Sequence, residues 1–179
     1  LKFDLTVIVA LQLAALLYGV SVMFGSRPVF NVLEEDIFKV TLASDFKDNQ
    51  ALLKAKDPKW QRLPWFGPLL VAAVAPTDVK EQQEIIFAAA SGLDWNVFPQ
   101  LFVEYDTQRD AVLKHAKPLA ILKASSPENA RVVEAFLRRA KKPISAFVYL
   151  PIVQGYTAMT AVLDANNADF IQIIAADTP

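Results

Sequence analysis

The side chains that most often catalyse reactions or bind metals are few in this sequence. It contains one histidine, His115, and no cysteine among 179 residues. A solitary histidine on a helix is typical of a surface position. The acidic run EED at 34–36 could bind a cation only if its carboxylates converged, but adjacent strand side chains point to opposite faces, and in a turn they are usually solvated. With five scattered glycines there is no phosphate-binding loop. We therefore expect no enzyme, no metal and no cofactor.

Two further groups of residues have the chemistry of binding. Trp60, Trp65 and Trp95 could stack on a ligand, but tryptophans are more often core anchors, which is what we expect here. The basic cluster at 138–142 fits a helix C-terminus, where the helix dipole favours cations. The alternative is a docking patch for an acidic partner or lipid head groups. With 18 basic and 19 acidic residues the chain has no global field that would attract nucleic acid.

The apolar run LTVIVALQLAALLYGVSVMF, residues 5–24, has no charged side chain. It lacks the polar stripe of a core helix, and it is longer than the apolar part of a cleaved signal. At about 1.5 Å per residue it covers roughly one hydrocarbon thickness. The run predicts a transmembrane helix over residues 1–26, in contact with membrane lipid. Ala15 and Gly19 form a small-xxx-small pair, which allows close approach of another span. They are candidate contact residues.

Residues 27–179 predict one α+β domain with a mostly antiparallel sheet and a helical insertion. β-branched and aromatic runs indicate strands at 29–33, 37–43, 69–75, 144–153, 157–165 and 169–176. Capping residues place helix starts at Ser44 or Asp45, Thr77, Asp106 and Ser126. Asn166 and Asn167 predict a two-residue turn between the last two strands. The loop at 57–68, with three prolines, is expected to be pinned by its aromatic residues.

Several ordered motifs resemble one known family. The stretch at 17–40 contains Leu-Tyr-Gly, then Arg-Pro-Val, then Asp36, Phe38 and Val40. The segments RLPWFGP at 62–68 and YLP…MT…LD at 149–164 follow. In this order they resemble the type IV pilin accessory proteins of the TfpX/TfpZ (FimB-like) family.

The resemblance implies an inner-membrane protein of bacteria with a soluble periplasmic domain and no catalysis. Its partner would be a cognate type IV major pilin, which it would help, in the manner of a chaperone, to reach or enter the pilus. Members of the family have several spans before this domain, so we expect 1–26 to be the last span of a longer membrane region. Neither a small-molecule substrate nor nucleic acid is implied.

The chain departs from the family at Gln154, Gly155 and Tyr156, where charged residues are expected. If this loop touches the partner, partner choice differs here, so these three residues join the candidate contacts. Two alternatives stay open. A membrane-tethered sensor or ligand-binding domain would need a pocket of roughly 300 Å³ or more, and no pattern in the sequence indicates one. A pilin-like subunit would explain Asp4 before the apolar run, although the start of the chain does not match the pilin pattern.

Overall fold

The computed structural model describes residues 2–46, 50–90 and 92–178. A long first helix, α1, is followed by an eight-stranded sheet and five shorter helices in that part of the chain. The strands are β1 (Pro28–Glu34), β2 (Ile37–Leu42), β3 (Leu69–Ala73), β4 (Phe102–Glu104), β5 (Lys117–Pro118), β6 (Phe147–Gln154), β7 (Thr157–Asp164) and β8 (Phe170–Ile174). The helices are α1 (Lys2–Gly25), α2 (Gln50–Leu53), α3 (Val79–Ala90), α4 (Arg109–His115), α5 (Leu119–Ser125) and α6 (Pro127–Ala140).

The strands form one sheet in the order β4-β3-β1-β2-β6-β7-β8, and β5 pairs with β6. Five of the described pairings are antiparallel, and two, β1 with β3 and β2 with β6, are parallel. The α+β class with a mostly antiparallel sheet is therefore confirmed. The first helix also agrees with the prediction. Its segment Leu5–Gly25 is long and apolar enough to cross a membrane, and none of it is buried in the protein.

Three groups of buried side chains hold the sheet and helices together. One gathers Phe30, Trp60 and Phe102 with the short turns around α2. The second lies around Phe38 and includes Val112 of α4. The third packs α5 and α6 on the last strands, where the Phe136 and Phe147 rings meet edge to face, 4.9 Å apart. The inward stripe predicted for α6 is confirmed: Val133, Phe136, Leu137 and Ala140 all pack in this group.

The predicted helix at 44–56 is much shorter than expected. A 3-10 turn covers Ala43–Phe46 and α2 covers Gln50–Leu53, while 47–49 lie outside the described residues. The predicted cap at Asp45 concerns the backbone of 47–49, which lies outside the described residues. The Asp45 carboxylate accepts a hydrogen bond from the backbone N–H of Leu42, which precedes it, at 2.8 Å.

The start of α3 also differs by one residue from the prediction. Asp78, not Thr77, is the cap, since its carboxylate accepts from the backbone N–H groups of Lys80 (2.9 Å) and Glu81 (3.0 Å). The predicted stop at Gly92 is confirmed. Gly92 has φ +84°, the left-handed conformation that commonly ends a helix.

The hairpin of β7 and β8 is confirmed, but its turn is not the two-residue turn expected from Asn166 and Asn167. The loop runs from Asp164 to Asp169, and the residue with positive φ is Ala168 (+57°). Side chains explain the difference. Asp164 accepts from the backbone N–H of Asn166, and Asn167 accepts from that of Asp169, each at 2.9 Å. Two successive side-chain turns therefore replace one tight backbone turn.

Candidate interaction surface at the α1 end of the sheet

The strand register gives the sheet two distinct ends. β1 begins at Pro28, directly after α1, and runs away from it to Glu34. Pro28 pairs with Leu42, the last residue of β2. We call this side the proximal end. The opposite side, with the β1–β2 turn and the loop after Asp164, is the distal end.

The turn between β6 and β7 lies at the proximal end. β6 runs parallel to β2, with Val153 opposite Lys39, so it continues in the direction of Leu42. Gln154 and Gly155 line a surface groove of about 300 Å³ that Leu42 also lines. Residues 154–157 therefore lie on the same side of the sheet as the end of α1.

The structure places the three predicted contact residues of this turn together. Gln154 pairs with Thr157, which leaves Gly155 and Tyr156 as a two-residue turn. Gly155 has φ +56°, a conformation that L side chains rarely adopt. The Tyr156 side chain is fully exposed, at 110% of its reference area. The turn thus presents an aromatic ring with a phenolic hydroxyl to whatever lies beside it.

An ion-pair cluster borders the groove next to this turn. Lys39 Nζ lies 2.9 Å from Glu34 Oε2 and 2.9 Å from Asp94 Oδ2. Burial raises the pKa of Glu34 in spite of its pairing with Lys39. Burial acts to lower the pKa of Lys39, but the hydrogen bonds to Asp94 and Glu34 outweigh it and raise that pKa. The expectation that the acids at 34–36 are solvated is therefore wrong for Glu34, because its side chain, at the end of the interior strand β1, is largely buried and pairs with Lys39.

The other two predicted contact residues lie on an unobstructed face of α1. Ala15 and Gly19 are four residues apart, hence on one side of the helix, and Ala15 is exposed. A Cβ atom added at Gly19 would meet no other described atom within 4 Å. The structure does not bring these residues together with the β6–β7 turn. They form a separate surface on α1 itself, away from the sheet.

The base of α1 is tied to a loop of the soluble part. Arg27 donates to the carbonyl of Phe24 (2.6 Å) and to that of Pro64 (3.4 Å). The Trp65 ring packs 5.7 Å from that of Phe24. Trp65 is nevertheless 75% exposed, and Phe66 is 93% exposed. The prediction that Trp65 is a core anchor is therefore wrong, although its ring does tie the loop to the end of α1. Phe66, which was also expected to pin the loop, is exposed instead.

The remaining tryptophans behave differently from Trp65. Trp60 is buried, as predicted, and its ring packs against Phe102. Trp95 is half-buried. Sequence reasoning missed the exposure at 65–66. The only signal was two adjacent aromatic residues between prolines, a pattern that does not distinguish a buried loop from an exposed one.

His115 and the acidic run at 34–36, the candidates for catalysis or metal binding, lie toward the distal end. His115 is exposed at the last position of α4 and lines a groove with Glu35 and Trp95. Within residues 2–46, 50–90 and 92–178, no three His, Asp or Glu side chains are grouped so that they could hold a metal. The basic cluster follows α6 as expected. Its Lys142 lies 3.3 Å from Asp164, so this patch is not at the side where a membrane would be.

The sequence indicated no pocket, but the structure has a further groove of about 430 Å³. Its charged groups contact one another. Arg109 lies 2.7 Å from Asp106 and 2.6 Å from Asp169, and it donates to the carbonyl of Asn167 at 2.5 Å. Burial raises the pKa of Tyr105 at its floor to about 12. The Arg109 side chain that lines this groove is therefore bonded to other residues of the protein, which indicates a structural role.

Comparison with known proteins gives two relatives. Over 97% of its length the chain is 27% identical to a fimbrial assembly protein of serogroup E1 from Dichelobacter nodosus. Over the same share it is 28% identical to a fimbrial assembly protein of serogroup I from that bacterium. In each case it covers 67% of the relative. No protein-family model and no solved structure matches the chain. Its similarity to fimbrial assembly proteins extends nearly from end to end, while the finer TfpX/TfpZ assignment stays a prediction.

Proposed function

We propose that this protein is a membrane-anchored accessory factor in the assembly of fimbriae, where it escorts a cognate type IV pilin as a chaperone would. The observation that carries the proposal is its similarity, over 97% of its length, to two proteins named for fimbrial assembly. The motif order of the TfpX/TfpZ resemblance supports the finer part, which is the accessory role toward one pilin. The proposed role is one of binding, without catalysis and without a cofactor.

In this proposal α1 crosses the bacterial inner membrane and residues 27–179 form a periplasmic domain. Two observations support the anchor. α1 is apolar over Leu5–Gly25, and none of that stretch is covered by the rest of the protein. A soluble protein would have to bury such a surface. The chain has no cysteine, so a single cysteine at 141 can be tested with a membrane-impermeant maleimide in intact and permeabilised cells, and we expect it to react in both.

The partner would approach from the side of α1. A pilin that waits in the inner membrane holds an apolar helix in the same bilayer and its globular part close above it. The small pair Ala15 and Gly19 offers a face on which a second helix can pack closely. The β6–β7 turn, with Tyr156 exposed, lies at the sheet end that adjoins α1. Together they could contact the helix and the head of one pilin.

The alternatives of a ligand sensor and of a pilin-like subunit have less support. The groove of about 430 Å³ meets the size expected for a ligand site, but its Arg109 already pairs with Asp106 and Asp169. The relatives are named for assembly, and not as fimbrial subunits. No described feature favours either alternative over an escort.

Affinity capture tests the proposal. The tagged protein is purified from native membranes after mild cross-linking, beside a matched sample in which an unrelated single-span protein carries the same tag. We expect a major pilin to co-purify only with this protein, and deletion of the gene to abolish fimbriae. Fimbriae of normal number and composition in the deletion strain would rule the proposed function out.

A further inference from the structure

The loop at 62–68 exposes two large aromatic side chains in a backbone that holds them in place. Trp65 is 75% exposed and Phe66 is 93% exposed. Pro64 and Pro68 flank them, and each fixes its own φ. Gly67 has φ +60° and allows the chain to turn back toward β3. An apolar pair held outward in this way requires a surface to cover it.

The position of the loop is fixed against the last turn of α1. The rings of Trp65 and Phe24 lie 5.7 Å apart. Arg27 bridges the two segments, since it donates to the carbonyls of Phe24 and Pro64. Its guanidinium group also lies 3.8 Å from the centre of the Phe24 ring. The exposed pair therefore lies beside the point at which the apolar helix ends.

Where α1 crosses a bilayer, its last turn reaches the boundary between hydrocarbon and head groups. Tryptophan is enriched at that boundary because its ring is apolar while its N–H still reaches water. Arg62, at the start of the loop, is exposed and can meet a lipid phosphate there. We infer that Trp65 and Phe66 insert into the interfacial layer of the bilayer that α1 crosses, as a second attachment of the domain to the membrane.

A lipid surface is favoured over a protein partner because the loop packs directly beside the end of α1. Trp65 touches α1 itself, so any other protein would first have to displace the lipid that surrounds Phe24. A second attachment to the membrane would also fix the orientation of the domain. A domain tethered only through α1 can rotate about it, whereas a second contact fixes which side of the sheet faces the membrane. The β6–β7 turn is then held at one height and in one direction.

Tryptophan quenching in bilayers tests this inference on the full chain. The protein is reconstituted into nanodiscs that contain only lipid, with bromine atoms on the upper part of the acyl chains. Trp60→Phe combined with Trp95→Phe leaves Trp65 as the reporter. The matched control, Trp60→Phe with Trp65→Phe, leaves Trp95, which lines a groove with Glu34 and Asp36 at the distal end. We expect loss of most Trp65 emission, with a blue-shifted maximum, and Trp95 emission unchanged by bromine.

A second arm avoids any change at Trp60, which is buried against Phe102. Phe66→Cys carries a nitroxide label, unambiguous in a chain without cysteine. We expect it to be more accessible to oxygen than to a water-soluble nickel reagent, and a label on Lys141→Cys to show the reverse. Equal quenching of Trp65 and Trp95, or a water-exposed label at 66, would overturn the inference.

The inference rests on α1 crossing the bilayer and not on the identity of the partner. Carbonate extraction of the full chain from membranes checks that premise, and release of the protein would overturn the inference together with the proposed anchor. Failure of pilin capture, with Trp65 quenched by brominated lipid, would refute the escort function alone.

Discussion

The two ends of the sheet differ in the side chains that they expose. At the distal end polar groups find partners within the protein: Arg109 pairs with Asp106 and Asp169, and Lys142 lies 3.3 Å from Asp164. At the proximal end large rings point outward, among them Trp65, Phe66 and Tyr156.

A folded protein gains nothing from exposed aromatic rings unless another surface covers them. The charged groups of the distal end named above thus have partners within the fold, whereas Trp65, Phe66 and Tyr156 at the proximal end would be covered only by a membrane or a partner. Loss of function without loss of fold should therefore concentrate at the proximal end. Changes at the distal end should act through stability.

The largest effect is expected from Gly19→Ile in α1. A Cβ atom at this position meets no described atom within 4 Å, so we expect the fold to be unaffected, but the isoleucine side chain would occupy space needed for close approach of a second span. We expect fimbriae to be lost while membrane insertion stays normal. Electron microscopy and carbonate extraction measure the two. Val20→Ile, which enlarges a different face of the helix, is the control; wild-type assembly in both variants would contradict a packing role for Ala15 and Gly19.

The next effect concerns partner choice at the β6–β7 turn. Gln154→Lys with Tyr156→Glu introduces charge and keeps Gly155, whose φ of +56° the turn requires. We expect an altered preference among pilins in cross-linking assays. Because Tyr156 is exposed and Gln154 is half-buried at the end of β6, the free energy of unfolding should change by less than about 1 kcal/mol. Unchanged preference across several pilins would remove this turn from the contact surface.

Arg109→Ala tests the distal end. It removes ion pairs with Asp106 and Asp169 together with the hydrogen bond to Asn167. We expect the free energy of unfolding to fall by about 1 kcal/mol, the upper range for a partly exposed ion pair. Denaturant titration measures the change. Assembly should stay normal below the lowered melting temperature, and a loss of assembly at full protein level would place a contact surface at this end.

Asp164→Asn should have a smaller and pH-dependent effect. A hydrogen bond from the backbone N–H of Asn166, assisted by Lys142, lowers the pKa of the Asp164 carboxyl below its ordinary value of 3.8. The ionised group therefore stabilises the fold above that value, and this contribution is lost as the pH falls through the lower folded pKa. We expect the variant to be slightly less stable at neutral pH and equally stable in strong acid, which melting curves across pH 2–7 measure.

The smallest effect is expected from His115→Ala. The side chain is exposed at the end of α4 and serves no role in the proposed function. Fimbriation in a complementation assay should be unchanged. Loss of fimbriae at a normal protein level would instead point to chemistry in the groove that His115 shares with Glu35 and Trp95.

Elements with a local signal were predictable from the sequence. The alternating and apolar runs identified β1, β2 and β6–β8, and the cap at Ser126 identified α6; its hydroxyl accepts from Asn129 N–H at 3.0 Å. The parallel pairing of β2 with β6 was not predictable, because it joins segments far apart in sequence. The strands β4 and β5 are too short for a periodicity to show.

The candidate site was predictable only in part. The β6–β7 turn was singled out because it departs from a family motif, and the structure adds that the turn is exposed and on the side of α1. Trp65 was predicted to be a core anchor and Phe66 to help pin the loop, since aromatic side chains usually pack inside a protein. Only the contact of Trp65 with Phe24, set by the three-dimensional path of the chain, shows what surrounds them.

The pairing of β2 with β6 also bears on the order in which the protein is made. Phe38 leaves the ribosome long before Ile152, its partner across the two strands. Until the β6–β7 hairpin arrives, the edge of β2 has unpaired N–H and C=O groups and can capture a strand from another chain. A hairpin that is synthesised long after β1 and β2 thus closes the middle of the sheet. Early truncations of the gene should yield aggregates rather than smaller folded domains.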